Sequence, residues 1–279
     1  MKASIFGLLA ETSIHPGAGQ DTGFVDLPVA REAATDYPVV VGSSFKGALL
    51  SYTRDLHKQD AGQWSEEQRN RVFGKQEHGG SLVVSDVRLV LLPIRSLTSH
   101  YKWVTCPHLL ERLQRDMHRV GQPMAIADLA VDDQQFLGAV ETGHELFLEE
   151  RQFRCSGPLP ADVLKTLEPL IATATTRKRL VEQVVIISDS DFSWFARYGL
   201  AINARNVLDN EKKTSKNLWY EETIPPDSLF YTLLFDRNDG TALSDISSMI
   251  KHHGYIQVGG NETVGQGWFA VTEIAGGNS

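Results

Sequence analysis

The sequence predicts an α+β fold whose order of elements suits a ferredoxin-like core. Apolar runs of strand length alternate with segments of helical spacing, and no internal repeat of fixed period accompanies them. The last part of the chain then closes in a β–α–β order, ending on two short strand-like runs around a glycine-rich loop.

Taken in order, residues 3–14 form an apolar run that reads as a long first strand. Ser43 or Ser44 can cap a helix through Phe45, Leu49, Tyr52 and Leu56, whose spacing of three to four gives one apolar face. A strand follows near 82–92. Residues 106–120 have a helical pattern, yet the stretch from about 93 to 154 mixes glycine, aspartate and apolar residues irregularly and reads as an insertion on a compact core. A helix at 161–174 leads through Arg177-Lys178-Arg179 to the β-branched strand 184–187, after which Ser188 and Asp189 offer a cap. Residues 200–216 set polar residues between apolar ones and read as a protruding hairpin. Residues 229–235 are a strand by composition, 244–253 a helix, and 255–258 and 268–271 the closing strands.

Composition restricts the function. With 279 residues, 42% of them hydrophobic, the chain can bury a sizeable core. A formal net charge of −8 argues against coating nucleic acid through bulk charge, so any phosphate contact must be local. Cys106 and Cys155 lie far apart without metal-site spacing, which excludes a disulfide framework and a zinc motif and fits a reducing cytoplasm. The N-terminal apolar stretch is too short for a signal or membrane segment and meets Glu11 at once, so no membrane partner is expected.

Four local constellations can carry chemistry. Gly259-Gly260-Asn261-Glu262-Thr263-Val264-Gly265-Gln266-Gly267 holds four glycines in nine residues. It suits either a flexible turn or bare backbone laid beside phosphate. His15-Pro16-Gly17-Ala18-Gly19 and the following Asp21 and Asp26 give a shaped loop an imidazole and two carboxylates, the equipment of a general base or metal ligand, or of braced turns. Gly42-Ser43-Ser44-Phe45-Lys46-Gly47 departs from a Walker loop because Lys46 precedes the glycine, which disfavours an ATPase. It leaves a helix start with two hydroxyls and a lysine, suited to one phosphodiester. Finally, Arg205, Lys212, Lys213 and Lys216 interleave with Trp219 and Tyr220 ahead of Glu221 and Glu222. Such a hairpin can follow a nucleic-acid backbone.

Together these motifs resemble the RAMP superfamily of CRISPR proteins, and within it the repeated backbone subunit of the type III-B (Cmr) effector. The Gly-Ser-Ser-Phe-Lys-Gly helix start and the glycine-rich C-terminal loop carry the likeness, sharpened by His15-Pro16-Gly17, Val25-Asp26-Leu27-Pro28 and Leu218-Trp219-Tyr220-Glu221-Glu222, in order from residue 1 to about 272. The resemblance implies a single RAMP domain over 1–279 with an RRM-like core, the insertion at about 93–154, and a thumb hairpin at about 198–218. It implies RNA-guided antiviral defence: copies of the chain stack along a CRISPR guide RNA beside other Cmr subunits and bind complementary target RNA, which is cut at regular intervals. Ser43, Ser44, Lys46, Arg205, Gly259, Gly260, Asn261, Gly265 and Gly267 would meet RNA. Leu200 and Ile202 would push into the guide–target duplex. Asp26 would be the catalytic residue and the ligand of a divalent ion, magnesium or manganese, with His15 and Glu222 as positioning or proton-transfer candidates. A non-catalytic RNA-binding scaffold and a metal-independent guide-processing endonuclease using His15 are the alternatives.

Overall fold

A computed structural model describes residues 1–20, 23–209, 211, 212 and 214–276; Asp21 and Lys213 therefore lie outside the described residues. The first strand, Lys2–Ala10, is the centre of the fold. It pairs antiparallel with Leu229–Asp236 on one side and with Trp268–Ala275 on the other. Val87–Arg95 adds antiparallel to Leu229–Asp236, and Tyr255–Gln257 closes the opposite edge against Trp268–Ala275.

Side-chain alternation divides the core between the two faces of this sheet. Phe6 and Leu8 join Phe45 and Leu49 of the helix Gly42–Gln59 and Ile246 of the helix Thr241–His253. Ile5 and Leu9 join Trp103, Leu110, Leu113, Val163 and Leu170 on the other face. Both faces are buried, which is why the first strand reads as a continuous apolar run. It is also why the open sheet face with which an RRM stacks bases is not on offer here.

Gly7 shows how tightly the second face closes. A Cβ at this position would lie 2.1 Å from the Leu170 carbonyl oxygen, because the turn Glu168–Leu170 rests directly on the strand. Gly7→Ala is expected to cost about 1–3 kcal/mol by overpacking, read as a lowered midpoint in urea unfolding. An unchanged midpoint would mean that the turn moves aside freely.

Two of the helices start where a carboxylate holds a first-turn amide. Asp236 is fully buried and accepts from the amides of Ala242 at 2.8 Å and Leu243 at 3.3 Å, which places the helix start at Thr241, three residues before the sequence pattern did. The first helix corrects the expected serine cap. Val41 is its N-cap residue, and the amide of Gly42 donates to Asp86 Oδ1 at 2.7 Å, while Ser43 and Ser44 are exposed.

The stretch expected as an insertion is woven into the sheet. Val87–Arg95 runs through its expected start at residue 93, and Tyr101–Thr105 pairs with that strand before Val184–Ile187, Gln135–Gly138, Arg151–Pro158 and Glu145–Leu148 extend the same sheet to twelve strands. Its irregular sequence reflects short strands joined by long loops around the helix Pro107–Arg119. The hairpin pairs Ala201–Leu208 with Ser215–Thr223, so it extends past residue 218. Leu200 is buried at its root, whereas Ile202, Val207, Leu208 and Leu218 are exposed along it. No described helix is long and apolar enough to cross a membrane.

Candidate nucleic-acid interface

Asp26 is positioned by strand-like pairing of its loop with the hairpin. The amide of Leu27 donates to the Tyr220 carbonyl at 3.1 Å, and the amide of Glu222 donates to the Leu27 carbonyl at 3.0 Å. One residue earlier, Asp26 Oδ2 accepts from the Tyr220 amide at 2.7 Å. A carboxylate held through one oxygen by a backbone donor keeps the other for a ligand. Asp26 lines a cleft of about 400 Å³ with Gln20, Leu27, Asn217, Leu218 and Trp219.

The same loop is braced from behind. The amide of Ala18 donates to the Pro28 carbonyl and that of Ala30 to the Pro16 carbonyl, so the chain on either side of Asp26 folds back on itself. Glu222 accepts from the Val29 amide at 3.0 Å through one oxygen and from Arg31 at 2.6 Å through the other, and both side chains are largely buried. Arg31 also donates to the carbonyls of Asp36 and Ala196. The proton-transfer role considered for Glu222 therefore gives way to a bracing one, since each of its oxygens already holds a donor.

His15 belongs to a neighbouring cluster, not to the lining of the Asp26 cleft. Its Nδ1 lies 2.8 Å from the Glu222 carbonyl oxygen, and the residue is 8% exposed. The Gly260 amide donates to the His15 carbonyl at 2.9 Å. A Cβ on Gly259 would come within 2.7 Å of that same carbonyl oxygen, and Gly259 has a φ of +93°. The glycines are thus needed to lay the loop over His15. The amides of Gly265 and Gly267 are also engaged, with the carbonyls of Glu262 and Ser13. The amides of Gly260, Gly265 and Gly267 are therefore not the ones this loop can turn to phosphate. Asn261 adopts a left-handed φ of +63°, and its amide nitrogen donates to Glu221 and, at 2.9 Å, to Gln266. Glu221 is 2% exposed and links Asn261 to Arg205, the latter at 3.4 Å.

The remaining basic residues divide into free and paired. Lys216 pairs with Asp209 at 2.9 Å, an exposed contact of the kind that exchanges readily for a phosphate, whereas the half-exposed Arg205 pairs with the buried Glu221. Lys46 lies on the first helix, apart from the hairpin, and donates to the Leu82 carbonyl at 3.1 Å. Burial, and then the charge of Arg237, lower its pKa from the ordinary lysine value. Two cations brought together in this way are a local attraction for an anion, as the net charge requires. The helix start itself already has the Asp86 carboxylate on its first amide, so Ser43 and Ser44 would act through their hydroxyls.

Among the described residues, no group of three or more histidine, cysteine or acidic side chains is arranged so that it could hold a metal ion. Asp26, Gln20 and Asn217 line the same cleft and carry hard-oxygen donors of the kind that magnesium accepts alongside phosphate and water. Arg31 and Asp86 had no local sequence signal, because each acts through a contact across the fold.

A family model described as the RAMP superfamily matches residues 8–270. The CRISPR system Cmr endoribonuclease Cmr4 of Pyrococcus furiosus is 32% identical, with 98% of this chain and 96% of that protein covered. A crystal structure of oligomeric Cmr4 from Pyrococcus furiosus superposes with a TM-score of 0.78 at 28% identity, covering 100% of both chains. A chain from a cryo-EM structure of a type III-B Cmr-beta complex bound to cognate target RNA has the same fold, with a TM-score of 0.77 at 20% identity over 98% of this chain and 97% of that one. With the family's pattern running through nearly the whole sequence and a relative aligned almost end to end, the protein belongs to the RAMP superfamily.

Proposed function

We propose that this protein is an RNA-guided endoribonuclease subunit, stacking with copies of itself and other Cmr subunits along a CRISPR guide RNA and cutting complementary target RNA in antiviral defence, in the cytoplasm. The observation that carries this reading is the Asp26 carboxylate, fixed through Oδ2 at the root of a projecting hairpin with Oδ1 left for a ligand. The likeness to a named endoribonuclease over almost all of both chains supports the cleavage reading above a scaffold reading.

The antiparallel order Trp268–Ala275, Lys2–Ala10, Leu229–Asp236, Val87–Arg95, with helices crossing after the first and third strands in sequence, supports a ferredoxin-like core for a single RAMP domain. The hairpin is its thumb. Exposed Ile202, Leu208 and Leu218 lie on one face by the strand period and supply the apolar wedge.

Displacing a base by the thumb leaves the adjacent 2′-hydroxyl free to approach in line with its phosphorus, so geometry lowers the barrier before any acid or base acts. Attack by that oxygen forms a 2′,3′-cyclic phosphate and breaks the bond to the 5′-oxygen, which leaves as a hydroxyl after taking a proton from water. Asp26, through Oδ1, would hold a divalent ion or accept the hydroxyl proton. A magnesium or manganese ion bound there supplies charge neutralisation at the phosphate. His15, beneath the glycine loop, fixes the loop that carries Asp26. Lys46, Ser43 and Ser44 hold guide phosphate, and Arg205 and the 259–267 loop lie along the same strand.

Binding tests the guided reading separately from chemistry. Lys46→Ala is expected to weaken guide binding for all sequences alike and to reduce the slope of log affinity against log salt by about 1. An unchanged slope in titrations across salt would remove the phosphate contact at Lys46. Lack of any guide binding by the wild type, with its Cmr partners present, would overturn the proposal.

A further inference from the structure

We infer that the cleft beside Asp26 is a nucleobase subsite, in which an unpaired base of the target strand stacks on Trp219 with the Asn217 amide at its edge. The inference rests on the cleavage reading above and deepens it. A volume of about 400 Å³ lies within the range of roughly 300–1,000 Å³ typical of small-molecule sites, ample for one base and its ribose.

Strand geometry sets the two side chains together. Asn217 and Trp219 are two residues apart in Ser215–Thr223 and so share a face, opposite Val207 and Arg205 of the other strand. Trp219 is half-buried and Asn217 exposed, and neither the indole N–H nor the Asn217 amide has a protein hydrogen-bond partner among the described residues. An indole beside an unengaged amide matches a base, which offers a π-face for stacking and donors and acceptors along its edge.

Position supplies the functional link. Trp219 directly precedes Tyr220, whose amide holds Asp26 Oδ2. A base stacked on Trp219 therefore brings its own phosphodiester to the free oxygen of the carboxylate. The cleft is also mixed in character, with Leu27 and Leu218 beside Gln20, Asp26 and Asn217, as a site for a flat, polar-edged aromatic requires. Purines, with the larger stacking surface, are expected to be cut faster than pyrimidines at this position. Adenine is favoured by the paired donor and acceptor of an amide.

The test uses the complete guide-loaded complex. In single-turnover cleavage, Trp219→Ala is expected to slow cutting about tenfold, the scale of one lost base–aromatic stack, while Trp219→Phe restores most of the rate. In complexes carrying Asp26→Asn, 2-aminopurine placed at the target nucleotide beside the cut is expected to be quenched severalfold more with Trp219 than with alanine there. Equal emission with both residues, or cleavage that ignores both the variant and the base, would overturn the subsite while leaving guided cleavage standing. Failure of the wild-type complex to bind complementary RNA would overturn the guided reading and the subsite with it.

Discussion

Replacing Asp26 with asparagine is expected to slow cleavage of guide-matched RNA by at least about a hundredfold while leaving target binding within about twofold of wild type. The substitution keeps size and hydrogen-bonding shape. An asparagine oxygen can still accept from the Tyr220 amide, so the pairing of the 26–29 segment with the hairpin survives. What is lost is the negative charge that, in the proposed function, holds a cation or takes a proton. The effect belongs in the rate of the chemical step, with affinity nearly untouched, because the proposed phosphate contacts lie on Lys46, Ser43, Ser44 and Arg205. Single-turnover rates with saturating complex separate the two. A rate loss matched by an equal loss of binding would instead show that Asp26 only braces its loop.

Glu222→Ala has the opposite signature. It leaves the Arg31 guanidinium largely buried without its carboxylate and removes the acceptor of the Val29 amide. Breaking a buried pair from one side typically costs about 3–5 kcal/mol, because a charge stays desolvated and uncompensated. We expect a loss of about 3 kcal/mol in chemical denaturation, since the Arg31 contacts to two backbone carbonyls remain. Glu222→Gln, which keeps the Val29 acceptor, is expected to cost less and to cleave within severalfold of wild type at low temperature. A glutamine variant of normal stability whose cleavage falls a hundredfold would return Glu222 to a proton-transfer role.

Much of this architecture was legible from apolar pattern. The first strand, the helix carrying Phe45, Leu49 and Leu56, the Ser188 cap and the closing strands each announce themselves within a window of ten residues. The misreadings share a cause. Ser43 and Ser44 look like caps, but the acceptor that holds the helix start is Asp86, forty-four residues away in sequence. The sequence around Glu221 and Glu222 carries no sign that Asn261, Arg205, Arg31 and the Val29 amide close around them. The 93–154 stretch looks appended because short strands separated by long loops leave little periodicity, although pairing carries them into the main sheet. Asp26 itself was identified by likeness to the family. Its local sequence equally allowed a turn aspartate, and only the contact with Tyr220 shows which oxygen remains for a ligand.

The most direct test is to map cut positions on labelled complementary RNA after assembly of wild-type or Asp26→Asn protein with guide and Cmr partners, in magnesium or chelator. We predict evenly spaced cuts, one for each copy of the chain along the guide, bearing 2′,3′-cyclic phosphate ends and absent with chelator or in the variant although target stays bound. Cuts of unchanged position and rate in the Asp26→Asn complex would contradict the assignment of Asp26 as the catalytic residue.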